Sequence, residues 1–298
     1  MTAASEPQPL PLPLPIMLGV DAAEPADAAL AWAADEAARR GVRLHLVHAV
    51  LPVTHHVRGV EETAHHKALR QLGDEALDKA TARAHERQPG LEVTTFITDG
   101  TPAQVLVRRS AHARLVVLGS RRLGRLGEML SAVSTTVPVS AHAACPVAVV
   151  PEAGRTEEEP PYLVVGVDAS RSAEAALEHA LEAAASQGAS VRAVWVWQRR
   201  LPGFFDEDAA LEACHRQLHE ATAGLSSAYR DVPLSHAVLR GHPVEALAEA
   251  SEHALAVIVG RRGREGFTGM RLGSVPHGLL HRATCPVVTV PPPADEGV

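Results

Sequence analysis

Short apolar runs alternate along this chain with longer segments of helical pattern. The first apolar run, Ile16–Val20, ends at Asp21 and is followed by an Ala-, Leu- and Glu-rich segment, Ala26–Arg40, which Gly41 closes. Apolar runs of this length indicate buried strands, and a glycine directly after a helical segment is typical of a helix C-cap. Strands that alternate with helices predict an α/β fold with a parallel sheet, right-handed crossovers and helices on both faces.

The whole pattern occurs twice. LGVDAAEPADAAL at Leu18–Leu30 recurs as VGVDASRSAEAAL at Val165–Leu177. The further matched pairs, in the same order, are Gly41 with Gly188, the strand-like Leu44–Val50 with Val191–Trp197, Gly100-Thr-Pro-Ala with Gly241-His-Pro-Val, Val116–Gly119 with Val257–Gly260, and His142–Val147 with Arg282–Val287. Self-similarity in a fixed order indicates tandem duplication. We therefore predict two Rossmann-like units, each a five-stranded parallel sheet with helices on both faces.

The domain boundaries follow from the repeat and from composition. Residues 1–15 are predicted to be a flexible, Pro/Leu-rich arm, residues 16–151 the first unit, and residues 162–292 the second unit. Residues 152–161 are acidic and proline-rich, which is typical of a linker. Residues 293–298 are predicted to be a tail.

Each unit ends on an apolar fifth strand, Val147–Val150 or Val287–Val290. An exposed edge on such a strand would favour aggregation. Pairing one fifth strand with the other would cover both edges, so we expect the two units to associate through them.

A glycine-rich segment in the second half, Gly260–Ser274, reads GRRGREGFTGMRLGS. It follows the predicted strand Leu255–Val259 and precedes a predicted helix, Val275–Arg282, with Pro276 in its first turn. Free backbone N–H groups and the positive end of a helix dipole converge in such a segment and favour phosphate.

Three glycines of this loop, Gly260, Gly263 and Gly273, would let the backbone approach an anion, and Ser274 would add a hydroxyl donor at the helix cap. The spacing is neither the dinucleotide fingerprint nor the lysine-containing phosphate loop. Ligands of open parallel sheets bind at the carboxyl ends of the strands, where Asp168 and Gly260 are both predicted to lie.

These motifs resemble those of the universal stress protein family in its ATP-binding branch. Gly260, Gly263, Gly273 and Ser274 match that family's loop, and Val165–Ser170 is similar to its first-strand signature. The resemblance covers nearly the whole chain twice and implies an adenine nucleotide α-hydrolase-like fold, with the two units forming an internal pseudo-dimer.

For the second unit the resemblance implies a nucleotide site made by Asp168, Val196, Val275 and the loop. Asp168 would contact the base or ribose, the backbone of Val196 would meet adenine, and Val275 would lend an N–H group to phosphate. The implied ligand is ATP, alone or with Mg²⁺, and the implied role is a stress-response regulatory or sensing module. A homodimer is a further option.

The first half departs from the pattern. Ala22-Ala23-Glu24 follow Asp21, so the hydroxyls of Ser170 and Ser172 have no counterpart there, and Arg122 occupies the second glycine position. Val133 and Ser134 stand where Gly273 and Ser274 stand in the second half. We therefore expect weak or vestigial binding at the corresponding residues Asp21, Ala49, Gly119 and Ser134. The alternative is that Arg121, Arg122 and Arg125 compensate with positive charge.

Composition excludes several classes of function. The net charge of −7 and the 3% of aromatic residues argue against a nucleic-acid partner. No apolar run is long enough to span a bilayer, so no membrane association is expected. Cys145, Cys214 and Cys285 show neither disulfide nor metal-ligand spacing, which favours buried thiols in the cytoplasm. The densest histidines, at 55–56 and 65–66, are interpreted as exposed rather than metal-binding.

Two rival functions remain. No Gly-x-Ser-x-Gly motif is present, so we expect at most slow ATP hydrolysis, yet a nucleotide hydrolase or nucleotidyl-transferring enzyme on this fold is one alternative. The other is a structural dimer whose loops bind nothing. His277 and His281 are predicted to be half-buried on their helix. Trp195 and Trp197 are predicted to pack in the core or between the units rather than to stack on a ligand.

Overall fold

The computed structural model describes most of the chain. The described residues are 13–23, 26–52, 60–120, 135–152, 159–198, 207–263 and 271–293, with the backbone alone at 60–63. Within them, ten strands form one sheet, flanked by eight α-helices and one short 3-10 helix.

The elements of the first unit follow the predicted order. They are β1 (Ile16–Gly19), α1 (Asp27–Arg40), β2 (Leu44–Val50), α2 (Val60–Arg87), β3 (Val93–Asp99), α3 (Pro102–Arg109), the 3-10 helix Ser110–His112, β4 (Leu115–Ser120), α4 (Thr136–His142) and β5 (Val147–Pro151).

The second unit repeats that order without the 3-10 helix. Its elements are β6 (Tyr162–Gly166), α5 (Arg171–Gln187), β7 (Ser190–Trp197), α6 (Glu207–Ala228), β8 (Leu234–Arg240), α7 (Pro243–Ala250), β9 (Val257–Gly260), α8 (Ser274–Arg282) and β10 (Val287–Val290). Gly41 and Gly188 end α1 and α5 in the left-handed conformation, both at φ 62°, as predicted.

The sheet runs β3-β2-β1-β4-β5-β10-β9-β6-β7-β8. All strand pairs within a unit are parallel, whereas β5 and β10 pair antiparallel, with Val149 opposite Val287. The predicted fold, two tandem Rossmann-like units with helices on both faces, is confirmed. In each unit the strand order reverses beside the first strand, between β1 and β4 and between β6 and β9, which is where such sheets open a crevice.

Helices cover both faces of the sheet. On one face, α1, α2, α5 and α6 share a single apolar core that runs through both units. On the other face, α3 and α4 cover one apolar cluster and α7 and α8 cover another. Leu280 of α8 packs against both of these clusters and so joins the two units on that side.

A charged group lies where α1 faces α5. Glu36 is 1% exposed and accepts hydrogen bonds from Arg39 (2.5 Å) and from Nε of Arg40 (2.6 Å). His179 of α5 lies nearby. Burial first, and then the charges of Arg40 and Arg114, lower its pKa to about 4, against the opposing effect of Glu182 and Glu36. The junction of the two units is therefore sensitive to protonation.

We expect acid to weaken the fold through His179. An unfolded histidine binds its proton near pH 6.5, whereas folded His179 binds one only near pH 4, so between these values the unfolded chain holds more protons. Stability from this residue is essentially complete above pH 6.5 and is lost by about 3 kcal/mol as the pH falls to 4. Urea unfolding of His179→Gln at pH 7 and pH 4.5 should show a smaller loss than the wild type. The same substitution at the exposed His65 is the control, and equal losses in both variants would contradict the assignment.

Three local expectations need correction. Pro15, placed in the flexible arm, is buried, and its carbonyl accepts a hydrogen bond from the Arg114 N–H (2.8 Å). Helix α8 begins at Ser274, one residue early, so the cap position belongs to Gly273. His277 and His281 are exposed rather than half-buried, and their rings lie 4.9 Å apart.

Two further observations bear on the composition. The three cysteines are buried, as predicted, and burial raises the pKa of Cys145 to about 12. Among the helices of the described segments, none is both long and apolar enough to cross a membrane.

Candidate nucleotide site

A cavity of about 790 Å³ opens at the carboxyl ends of β6, β7 and β9. All seven residues that the sequence singles out in the second half line it: Asp168, Val196, Gly260, Gly263, Gly273, Ser274 and Val275. The cavity thus lies at the predicted reversal of strand order, and its volume falls within the range of small-molecule sites, roughly 300–1,000 Å³.

The turn between β6 and α5 directs a helix N-terminus at this cavity. The carboxylate of Asp168 accepts a hydrogen bond from the Ser170 N–H (3.1 Å), and Ser170 Oγ in turn accepts one from the Ala173 N–H (3.1 Å) as the cap of α5. Ala169, between them, has φ 57°, the only positive φ among the described residues other than glycine. Non-glycine residues rarely take this conformation, and they do so mostly at functional sites.

Gly260 lines the cavity and is also required for helix packing. A Cβ atom there would stand 2.7 Å from the carbonyl carbon of Ser172, which belongs to the first turn of α5. Ser172 is buried, and its hydroxyl donates to the carbonyl of Val290 (3.3 Å). The glycine therefore lets α5 approach the end of β9, a packing role that the sequence analysis did not predict.

The other two glycines differ from each other. A Cβ atom on Gly263 would lie 2.4 Å from Oδ2 of Asp168, so the loop and this carboxylate share one small space. Gly273 has no such conflict, since its nearest neighbours would be 3.5 Å away. As the N-cap of α8, Gly273 leaves the first N–H groups of that helix without a capping side chain, and an anion could take that place.

Positive charge gathers at the phosphate end. Arg262 lines the cavity next to Gly263. The pKa of Arg261 is lowered by burial and then by the charges of Arg262 and Arg271, so both of these guanidinium groups lie close enough to repel that of Arg261. A bound polyanion would relieve that repulsion.

The opposite end of the cavity is apolar and aromatic. Trp195 and Trp197 line it with Cys214 and Gln217 of α6. Trp195 is only 7% exposed and Trp197 packs against the core, so the predicted packing role holds, but both residues also face the cavity. The sequence analysis assigned the two tryptophans to packing and so did not include them among the residues that line the cavity. Their position on either side of Val196, a predicted site residue, could have indicated that they do.

Comparison with known proteins agrees with this architecture. The sequence model of the universal stress protein family matches residues 14–151 and 162–291. The chain belongs to the universal stress protein family. It is 33% identical over 289 residues to a universal stress protein of Mycolicibacterium smegmatis, covering 93% of this chain and 97% of that one. A universal stress protein of Mycobacterium tuberculosis is 33% identical over 291 residues, covering 92% and 95%.

A solved structure shares the full-length arrangement. The crystal structure of a universal stress protein from Archaeoglobus fulgidus superposes with a TM-score of 0.70 at 18% identity, covering 94% of this chain and 97% of that one. At this identity the likeness establishes the fold alone, so function must be argued from the site.

In the first universal stress unit the corresponding region is built differently. Asp21 is exposed and lines a cavity of about 130 Å³ between α1 and α2, of which neither Ala49 nor Gly119 is a lining residue. Helix α1 begins six residues after Asp21, whereas α5 begins three residues after Asp168. Ala26, the N-cap of α1, makes no side-chain capping hydrogen bond, whereas Ser170 caps α5.

Other first-unit differences reinforce that contrast. His48 stands where the second unit has Trp195, and its Nδ1–H donates to the carbonyl of Val20 (2.8 Å). Its ring lies against Gly73, where a Cβ atom would be only 2.4 Å away. As in the second unit, a glycine near the end of the fourth strand allows close helix packing: Gly119, the next-to-last residue of β4, lies against Ala26. Ser134, Val133 and the arginines Arg121, Arg122 and Arg125 lie outside the described residues.

The histidines of the segment 55–66 that lie among the described residues do not form a metal-binding group. His55 and His56 lie outside the described residues, His65 is exposed, and His66 lies 3.3 Å from a carboxylate oxygen of Asp99. In the described part of the chain, no group of three or more His, Cys, Asp or Glu side chains could hold a metal ion.

Proposed function

We propose that the second unit binds ATP and that the first binds it weakly or not at all. The supporting observation is the single cavity that joins two helix N-termini, an arginine and an aromatic wall. Phosphates suit the end near Gly263, Gly273 and Ser274, because N–H groups and Arg262 converge there. The base suits the end formed by Trp195 and Val196.

Asp168 lies between these two ends and would meet the sugar. An ionised carboxylate accepts hydrogen bonds from ribose hydroxyls or from an exocyclic amine. Asp168 is the one carboxylate among the described residues that line the cavity, so a Mg²⁺ ion accompanying ATP would be held chiefly by phosphate oxygens and water.

We further propose that ATP acts here as a regulatory signal in a cytoplasmic stress response. Such a role requires two conformations that bind the nucleotide with different affinities. The cluster of three arginines at the loop supplies a physical basis, because its electrostatic energy differs between the empty and the occupied site.

A matched pair of variants tests the site. We expect Asp168→Ala to weaken ATP binding about ten- to a hundredfold, since losing a charged hydrogen-bond acceptor costs about 1.5–3 kcal/mol. Asp21→Ala, at the corresponding position of the first unit, should leave the affinity unchanged. Isothermal titration calorimetry on the full chain measures both variants, and thermal unfolding checks that each remains folded. A loss of ATP binding in Asp21→Ala with none in Asp168→Ala would reverse the assignment of the units.

A further inference from the structure

Arg261 closes the glycine loop at both ends. It is the first residue after β9, and its N–H donates to the carbonyl of Val290 at the end of β10 (2.7 Å). Its own carbonyl accepts a hydrogen bond from the N–H of Gly273, the residue before α8 (2.9 Å). The beginning and the end of the loop are therefore held together by the backbone of this one residue.

The side chain of Arg261 leaves the second unit. Its NH1 atom donates to the carbonyl of Ala143, which ends helix α4 of the first unit (2.7 Å). This reach is possible because β5 and β10 are antiparallel, so that the carboxyl edge of the second unit adjoins the amino-terminal edge of the first. The carbonyl end of a helix carries partial negative charge, which favours a guanidinium there.

This contact costs desolvation. Arg261 is partly buried, and its Nε atom is buried without a hydrogen-bond partner in the described part of the chain. A buried donor left without a partner is unfavourable, so the hydrogen bond to Ala143 helps to offset the cost of holding the guanidinium in this position.

The neighbouring residue faces the other way. Arg262 lines the cavity, while Arg261, one position earlier, contacts the first unit. Charge brought to Arg262 by a polyphosphate would lower the repulsion that Arg261 experiences from it. A second contact on the same side, Leu280 packed against both units, ties α8 to the same junction.

We propose that Arg261 is a positioning residue that couples occupancy of the second unit's phosphate loop to the stability of helix α4 in the first unit. This inference rests on the proposed function, because it assumes that a polyphosphate occupies the loop. By thermodynamic reciprocity, a change that stabilises α4 also favours the occupied loop. The corresponding residue of the first unit is Ser120, whose side chain is too short to make an equivalent contact with the other unit. Replacing Arg261 by serine therefore copies the residue that the first unit carries at this position.

The experiment compares the wild-type full chain with Arg261→Ser and Arg262→Ser. Amide hydrogen exchange is followed in α4, with and without ATP at concentrations that calorimetry shows to saturate each variant. In the wild type we expect ATP to slow exchange in α4 about fivefold or more. In Arg261→Ser, exchange in α4 should already be faster without ligand, and saturating ATP should no longer slow it. In Arg262→Ser, ATP should bind more weakly and, once bound, should slow exchange in α4 less than in the wild type, because this variant lacks the charge whose repulsion of Arg261 the phosphates relieve.

Several outcomes would overturn the coupling. One is that, without ligand, α4 exchanges at the same rate in the wild type and in Arg261→Ser. Another is that ATP slows exchange in α4 to the same extent in these two proteins. Wild type that binds ATP without any change in α4 would overturn the coupling and leave the nucleotide site intact. Inorganic tripolyphosphate serves as a second probe. If it binds and ATP does not, only the nucleotide assignment fails, and if neither binds, both proposals fail.

Discussion

Valine in place of Gly263 should raise the Kd for ATP about thirtyfold, a cost of about 2 kcal/mol or more. The added Cβ atom would stand 2.4 Å from Oδ2 of Asp168, and the two branches of valine would need still more room. Either the carboxylate or the loop must move, and both line the cavity. Isothermal titration calorimetry with ATP on the full chain measures the change.

Gly90→Val provides the control for that substitution. Gly90 is exposed in a turn of the first unit, and a Cβ atom there would meet nothing within 4 Å. We expect its ATP affinity to equal that of the wild type. If Gly263→Val binds ATP as tightly as Gly90→Val does, this loop does not hold the phosphates.

Among the substitutions considered, removal of the buried carboxylate of Glu36, where α1 faces α5, should lower the free energy of unfolding most. Glu36→Ala leaves Arg40, whose side chain is 8% exposed and whose NH1 atom already lacks a partner among the described atoms, as a buried charge without its counter-ion. Breaking a buried ion pair on one side typically costs about 3–5 kcal/mol. The free energy of unfolding from urea titration at pH 7 measures the loss.

The adjacent residue gives a matched control for Glu36. Asp35 pairs with Arg87, whose side chain is 54% exposed. Burial raises the pKa of Asp35, but the hydrogen bonds from Arg87 and Gln88 and the charges of Arg87 and Arg39 together outweigh burial and hold that pKa below its usual range. Exposed pairs of this kind contribute about 1 kcal/mol or less, so Asp35→Ala should be mild. Similar losses in both variants would show that the Glu36 group is not energetically special.

The order of strands and helices was predictable because the same sequence pattern occurs in both halves of the chain. Matched landmarks such as Gly41 with Gly188 fixed the strand and helix order without knowledge of any contact. The apolar fifth strands pointed to their pairing for a local reason, the need to cover an edge. Element boundaries were less certain, and α8 starts one residue before its predicted position because Gly273 rather than Ser274 takes the cap.

Side-chain partners were less predictable, since they depend on tertiary packing. Gly260 was assigned to phosphate, yet its neighbour is the backbone of Ser172, 88 positions earlier. Arg262 and Trp195 line the cavity, but a sequence pattern does not say which side of a loop or strand faces a crevice. The bond from Arg261 to Ala143 depends on how the two units sit against each other, which no local spacing encodes.

The two units pair through β5 and β10 within one polypeptide, and this determines which units occur together in one molecule. Separate subunits could exchange and form assemblies with two competent sites, one or none. Here the two units are covalently joined, so every molecule carries one of each kind. The ratio of first to second units therefore does not change with expression level or dilution. The proposed ATP site would therefore occur once in every molecule, in a uniform population rather than in a mixture of assemblies.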